Sequence, residues 1–266
     1  MNATIKYDMP ASEYHAAEGL SKSGLDKFKR SPMHYKHWLT EKPEPTEAMR
    51  IGSLVHMAVF EPIRFAGSTA VAPIVDRRTK DGKLAYEIFT KENAGKEVIS
   101  ADDILMIKDI VRAISSHRAA SKLLKTGQAE VSVFAKCPVT NVYCKGRFDF
   151  VGEDCIVDLK TTEDASPSQF GVSVMRYRYL TQAAHYLFLA EQAGLKVSKF
   201  IFIAVEKEAP YGVGVYEVSK NQLFRAEADR MTQLRMFKSC EDFDSWPAYG
   251  SDIQPMQLPD WASAQL

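Results

Sequence analysis

The strongest chemical signal in this chain is two carboxylates and one ammonium gathered in a short run. From Val142 to Thr162 the residues are Val-Tyr-Cys-Lys-Gly-Arg-Phe-Asp149-Phe-Val-Gly-Glu-Asp-Cys-Ile-Val-Asp158-Leu-Lys160-Thr-Thr. The cluster Gly152-Glu153-Asp154 favours a turn between two β-rich runs, so the segment predicts a hairpin. Side chains alternate faces along a strand, which puts Asp158 and Lys160 on one side and Leu159 in the opposite layer. The turn then brings Asp149 beside that pair. Phosphodiester hydrolysis needs a nucleophilic water, a stabilised pentacovalent charge and a neutralised leaving alkoxide, which carboxylate-held divalent cations can supply. Magnesium prefers oxygen ligands and keeps several waters, so a few carboxylates with the substrate phosphate make a sufficient site. In this reading Asp149 and Asp158 bind the metal and the Leu159 backbone carbonyl adds a ligand. Lys160 orients the attacking water or stabilises the developing charge, and Glu130, at the start of the preceding strand, holds metal directly or through water. The expected cofactor is magnesium, one or two ions, with manganese as a substitute.

An Asp-x-Lys triplet is weak evidence alone, because an exposed strand can carry such a pair as an ordinary surface salt bridge. Its surroundings are more informative. Ile156, Val157 and Leu159 make the strand apolar, so the charges sit at the edge of a core. Gln182 and Tyr186 lie four apart on a later helix and share a face, either as polar contacts to the site or as the polar stripe of an amphipathic helix. His56 follows Gly52 by one helical turn; a lone helical histidine is ordinarily a satisfied core or surface residue and earns no role by itself.

The elements that position these residues are legible in outline. Leu20 to Phe28 predicts a capped amphipathic helix ending before Ser31-Pro32, and Ala48 to Phe60 predicts a helix stopped by Glu61-Pro62. Between Ser21 and Lys42 six Lys or Arg face two acids, with His34, Tyr35, His37 and Trp38 interleaved. That stretch can grip phosphate or be a solvated helical face. Residues 62 to 98 look irregular, with Asp76 to Lys83 as a basic surface loop. Ser100-Ala-Asp-Asp103 is a capping-box signature opening a core-packed helix. Strands follow at Val131 to Ala135, Val142 to Val151 and Cys155 to Leu159. Ser166-Pro167 with Gln169 predicts a capped helix, and Tyr177 to Ala193 a longer one stopped at Gly194. Lys199 to Glu206 and Gly212 to Val218 read as two further strands, the first central, before a last helix from Ser219 to about Ser239. From Phe243 the prolines between Trp246 and Trp261 predict an extended tail laid on another surface. This order is an α/β core with a mixed central β-sheet flanked by helices, behind a helical N-terminal elaboration. One domain is expected over residues 1–266, mainly helical in 1–125, α/β in 126–242 and extended in 243–266.

Composition narrows the function classes without choosing one. The chain has 266 residues, is 45% hydrophobic and 26% charged, and carries no net charge, so a polyanion must be held by local patches. No apolar leader or membrane-length run is present, and the four cysteines lack metal-site spacing; a cytoplasmic protein with reduced thiols and no membrane partner is expected.

The order His56, Glu130, Asp149, Asp158-Leu159-Lys160, Gln182-x-x-x-Tyr186 resembles the PD-(D/E)xK nuclease superfamily. Within it the chain more closely resembles the exodeoxyribonuclease VIII (RecE-type) nucleases of phages and prophages. Similar segments are Gly19 to Ser23, Gly52-x-x-x-His56, Arg77-Arg78-Thr79, Val157 to Thr162, Trp246-Pro247 and Leu258-Pro-x-Trp261. Phe148 departs from the family's nominal proline before Asp149, a position that shapes backbone and offers no ligand. The resemblance implies a restriction-endonuclease-like core and processive 5′-to-3′ digestion of one strand of linear double-stranded DNA. The product is a 3′ single strand for a recombinase or single-strand annealing partner, in DNA recombination or repair in a bacterial or phage-infected cell. A ring-shaped homo-oligomer, trimer or tetramer, is implied as well. His56, Glu130, Asp149, Asp158 and Lys160 become the catalytic set, with metal at the carboxylates, and Gln182 and Tyr186 support them. Arg77, Arg78, Lys22 and Arg147 are the candidate DNA contacts. The alternatives are a structure- or site-specific endonuclease of the same superfamily and a non-catalytic DNA-end-binding scaffold.

Overall fold

The chain begins with a strand too short for periodicity to reveal. A computed structural model describes residues 3–41 and 44–257. Strand β1 (Ala3–Lys6) alternates half-buried and exposed positions over four residues. Helices α1 (Ala11–Ala16), α2 (Lys22–Arg30) and α3 (Pro32–Thr40) follow, the last two capped by the Ser21 and Ser31 hydroxyls. Thr46 caps α4 (Glu47–Phe60), and Pro62 opens α5 (Pro62–Ser68). The stretch expected to be irregular is largely ordered, as α5, β2 (Thr69–Val71), α6 (Lys80–Glu92) and β3 (Glu97–Ile99). Half of the expected basic loop is the first turn of α6, whose Thr79 hydroxyl accepts from Gly82 N–H. A Cβ on Gly82 would lie 2.1 Å from the Asp76 carbonyl oxygen, so glycine is required where the loop folds over the helix start. Ser100 caps α7 (Ala101–Ser116), and α8 (Arg118–Leu123) leads into the sheet.

The second half alternates as expected: β4 (Gln128–Lys136), β5 (Tyr143–Val151), β6 (Cys155–Thr162), α9 (Pro167–Arg176), α10 (Tyr179–Gln192), β7 (Lys199–Glu206), β8 (Val213–Glu217) and α11 (Lys220–Asp242). The capping box at Ser166 does not form, because that serine makes no side-chain cap and instead its N–H donates to Asp164 Oδ1 at 2.7 Å. Helix α10 starts two residues later than expected because Arg178 adopts a left-handed φ of 54° between α9 and α10. In the tail, Trp246 packs on Tyr35 and Phe237, and Pro247 accepts a hydrogen bond from Met33 N–H. The motif Leu258-Pro-x-Trp261 lies outside the described residues.

Six strands form one mixed sheet in the order β1-β4-β5-β6-β7-β8, and β2 pairs with β3 separately. All neighbours in the large sheet run antiparallel except β6 and β7, which are parallel. A parallel pair needs a crossover, which α9 and α10 provide. One face packs Leu25, Phe28, Phe148, Ile156, Leu189, Phe200, Phe202 and Leu234 beneath α2, α9, α10 and α11. The other packs Ile51, Leu54, Val55, Ile107, Ile110, Phe150, Val157, Leu159 and Ile203 beneath α4 and α7. Strand β7 is apolar on both faces, as expected of a strand covered on both sides. The four cysteines are free thiols. Among the described residues no helix is long and apolar enough to cross a membrane.

Candidate active site

Regular alternation fails on two adjacent strands at the same place. On β4, Val131, Val133 and Ala135 join the core under α10, whereas Ala129 packs with the core under α4. On β5, Cys144 and Phe148 belong to the first core and Phe150 to the second. Residues two apart should share a face, so each strand exchanges faces at one residue: Glu130 on β4 and Asp149 on β5. The register runs through the break, with Ala129 opposite Phe150 and Val131 opposite Phe148. Glu130 takes a left-handed φ of 53°, a strained conformation for a glutamate and one concentrated at functional sites.

Around that break the side chains converge. His56 reaches down from α4, its Nδ1 3.3 Å from Asp149 Oδ2. The same oxygen accepts the Leu159 N–H at 2.9 Å, which ties the Leu159 peptide to the site while its side chain enters the core under α4. His56, Glu130 and Asp149 each offer one ligand atom, all within 4.8 Å of one another. On the next strand Asp158 is fully buried; Gln182 Nε2 donates to its Oδ1 at 2.5 Å, and Lys160 Nζ lies 2.6 Å from its Oδ2. That ammonium is the one charged partner of this buried oxygen among the described residues. Where sequence reasoning gave metal to Glu130, Asp149, Asp158 and the Leu159 carbonyl, the three-residue ligand group joins His56 to Glu130 and Asp149, and Asp158 stands on the adjoining strand with Lys160, against Gln182 of α10.

The electrostatics follow from burial and neighbours. Burial raises the Glu130 carboxyl, Asp149 adds to the rise, and Arg147 opposes both without cancelling them. Burial likewise lifts Asp158 to about 6 against the pull of Lys160. Burial pushes Asp149 up too, but the charge and hydrogen bond of His56 outweigh it and hold that carboxyl below its ordinary value. For His56 burial favours the neutral ring, yet Asp149 reverses the direction and raises it. Lys160 is raised in the same manner, Asp158 and Asp149 overcoming burial. Two of the three acids are thus uneasy as anions, the charge deficit that a divalent cation fills. The carboxylate oxygens of Glu130, Asp149 and Asp158 are hard ligands of the kind that hold magnesium or manganese.

The remaining expected residues divide. Tyr186 is buried against Phe148, ring centroids 4.9 Å apart, and burial raises its hydroxyl well above the ordinary value. Arg77 and Arg78 lie at the surface before α6, Arg77 over the Tyr86 ring and Arg78 paired with Asp76. Lys22 and Arg147 differ from expectation, because both spend their charges inside the protein. Lys22 donates to the Tyr177 carbonyl at 2.8 Å and pairs with Asp26 at 2.7 Å. Arg147 holds the Glu130 carboxylate and donates to the Met9 carbonyl at 2.7 Å. Sequence reasoning missed Tyr179, whose ring centroid lies 4.7 Å from Lys160 Nζ. The signal for it was present in Tyr177-Arg178-Tyr179, aromatics interleaved with a cation at the start of α10.

No curated protein matches the chain. A solved structure from Eubacterium rectale, described as a "Putative exonuclease", is 18% identical, covers 89% of this chain and 88% of that chain, and superposes with a TM-score of 0.60. At that identity it shows the fold. Another solved structure, SSO0001, is 16% identical with a TM-score of 0.28 over 70% of this chain and 88% of that chain, too low to carry an argument. With its mixed six-stranded sheet and flanking helices, the chain has a PD-(D/E)xK-type fold, and, matched over residues 21–259, it belongs to the family described as PDDEXK-like domain of unknown function (DUF3799).

Proposed function

We propose that the chain is a magnesium-dependent exodeoxyribonuclease that digests one strand of linear double-stranded DNA, 5′ to 3′ and processively. The observation that carries this reading is the meeting of His56, Glu130 and Asp149 within 4.8 Å, beside an Asp158–Lys160 pair, on a PDDEXK-like fold. Glu130, Asp149 and Asp158 would hold the cation, with the Leu159 carbonyl as a further ligand. When bound, the cation stabilises charge at the scissile phosphate and acidifies water there. Lys160, kept protonated by Asp158 and Asp149, places a cation where charge grows on the phosphate. His56, itself raised by Asp149, fixes that carboxylate's orientation. Gln182 does the same for Asp158. The preference for exonuclease over endonuclease rests on the segments resembling the RecE-type nucleases. A ring of three or four copies and hand-over of the 3′ strand to an annealing recombinase, in the cytoplasm of a bacterial or phage-infected cell, belong to the same proposal.

The test is digestion of linear duplex with a 5′-phosphate, each strand labelled at one end, against a closed circle. The expected result is mononucleotides from one strand, from its 5′ end, with the circle intact in magnesium. Nicking of the circle supports the endonuclease reading, and binding to ends without cleavage supports the scaffold.

A further inference from the structure

We propose that Tyr177 and Tyr179 form a stacking platform for an unpaired nucleotide of the strand entering the site; this rests on the nuclease reading. The two rings are already stacked on each other, centroids 5.6 Å apart and planes 28° from parallel. Tyr179 abuts the candidate site, because Lys160 Nζ lies both 4.7 Å from its ring centroid and 2.6 Å from Asp158. Tyr177 continues the stack outward and is 49% exposed. Cations flank both rings: Lys22 Nζ is 5.5 Å from the Tyr179 centroid, and Arg176 is 5.6 Å from the Tyr177 centroid.

The backbone is built to hold this pair. Arg178, between the two tyrosines, takes a left-handed φ of 54°, a strained state that persists only where its surroundings over-determine it. Here they do: its guanidinium donates to Asp26 Oδ1 at 3.0 Å and to Asp229 Oδ2 at 3.1 Å, and Lys22 donates to the Tyr177 carbonyl at 2.8 Å. Elements α2, α9, α10 and α11 are thereby pinned around three residues. A surface pair of tyrosines needed only for packing would not require that anchoring. Aromatic faces beside cations bind single-stranded nucleic acid by base stacking, with little regard to sequence. A base inside a duplex has both faces covered by its neighbours, so the base that stacks here must have left the interior of the helix. The substrate at this point is therefore a separated or frayed strand, with a base on Tyr177 and its phosphate directed toward Lys160.

The experiment places one abasic analogue at each position of a single-stranded oligonucleotide in turn and measures binding without magnesium, so that cleavage does not intervene. In the wild type one position should weaken binding about tenfold, within the range known for one stacked base. In Tyr177→Ala that same position should cost less than about twofold, while Tyr177→Phe and Tyr177→Trp keep the wild-type dependence. Equal abasic penalties in wild type and Tyr177→Ala overturn the platform. If the wild type cuts linear DNA yet shows no such coupling, the platform alone falls. If it neither binds nor cuts DNA, the nuclease reading falls and takes the platform with it.

Discussion

Glu130 adopts a backbone conformation that a glutamate visits at a cost on the order of 1 kcal/mol or more, and it does so where its carboxylate meets His56 and Asp149. Under the proposed function, strain kept at such a point serves the chemistry. Asp158 and Lys160 stand next to it, and under the proposed function both serve cleavage rather than binding. Asp158→Asn or Lys160→Ala should lower cleavage by about a hundredfold or more and change DNA binding by less than about fivefold. Retained cleavage would remove that residue from the reacting centre. The charge deficit among Glu130, Asp149 and Asp158 gives a second expectation. Saturating magnesium, at about a hundred times its Kd, should stabilise the protein by about 2.7 kcal/mol, seen as a rise in Tm. The variant Glu130→Gln/Asp149→Asn should show no rise; a rise of wild-type size would put the cation elsewhere. Most of this site was visible in sequence, since Asp149, Asp158 and Lys160 follow from hairpin geometry. The partners of Arg147, named from sequence as a candidate DNA contact, were not legible, because Glu130 and Met9 lie 17 and 138 residues away and no periodicity encodes them.

At the scale of elements, α4 determines whether His56 reaches the sheet. Gly52 sits one turn before it, and a Cβ there would meet Thr161 Oγ1 at 3.5 Å, an ordinary contact. The packing of α4 at this glycine therefore leaves room for a methyl group. Gly52→Ala should stabilise the protein by about 0.5–1 kcal/mol in urea unfolding, by cutting the freedom of the unfolded chain. Destabilisation would mean that α4 cannot yield even a few tenths of an ångström. Gly146 is the opposite case: a Cβ would lie 2.7 Å from Leu189 Cδ1, so this glycine sets how closely α10, and with it Gln182, lies on β5. Long elements with caps were legible in sequence: α2, α4, α7, α11 and strands β4 to β7. The short ones were not. Strands β2 and β3 have three residues each, too few to show a period, and α6 opens on Lys80-Asp-Gly, which has the chemistry of a turn.

For the molecule as a whole, one buried group ties stability to acidity. His185 is fully buried, and burial first, then the charge of Arg230, lower its pKa to about 3. Its neutral ring donates from Nε2 to the Lys145 carbonyl at 3.1 Å. The unfolded chain takes up that proton near pH 6.5 while the folded chain refuses it until about pH 3. Stability is therefore whole above pH 6.5 and lost as pH falls toward 3, at up to about 1.4 kcal/mol per unit. Urea unfolding from pH 7 to 4.5 should show this slope, and His185→Gln should flatten it. An equal slope in the variant would assign the acid sensitivity to other groups. With no net charge on the chain, the DNA grip that the proposed function requires must come from local residues. If Arg77 and Arg78 contact phosphates, replacing both with alanine should reduce the slope of log K against log salt by about 2.

The N-terminal segment has a wider consequence. Residues Ala3–Lys6 close the edge of the sheet against β4, and Lys145 donates to the carbonyls of Tyr14 and Ala17. The Met9 carbonyl holds Arg147, and Arg147 holds Glu130. A stretch that carries none of the candidate site residues thus forms the far end of a chain of contacts into the candidate site. Whatever pulls on residues 3–17, whether a fused tag, a protease nick or a docked partner, acts on the orientation of a carboxylate more than a hundred residues later in the chain.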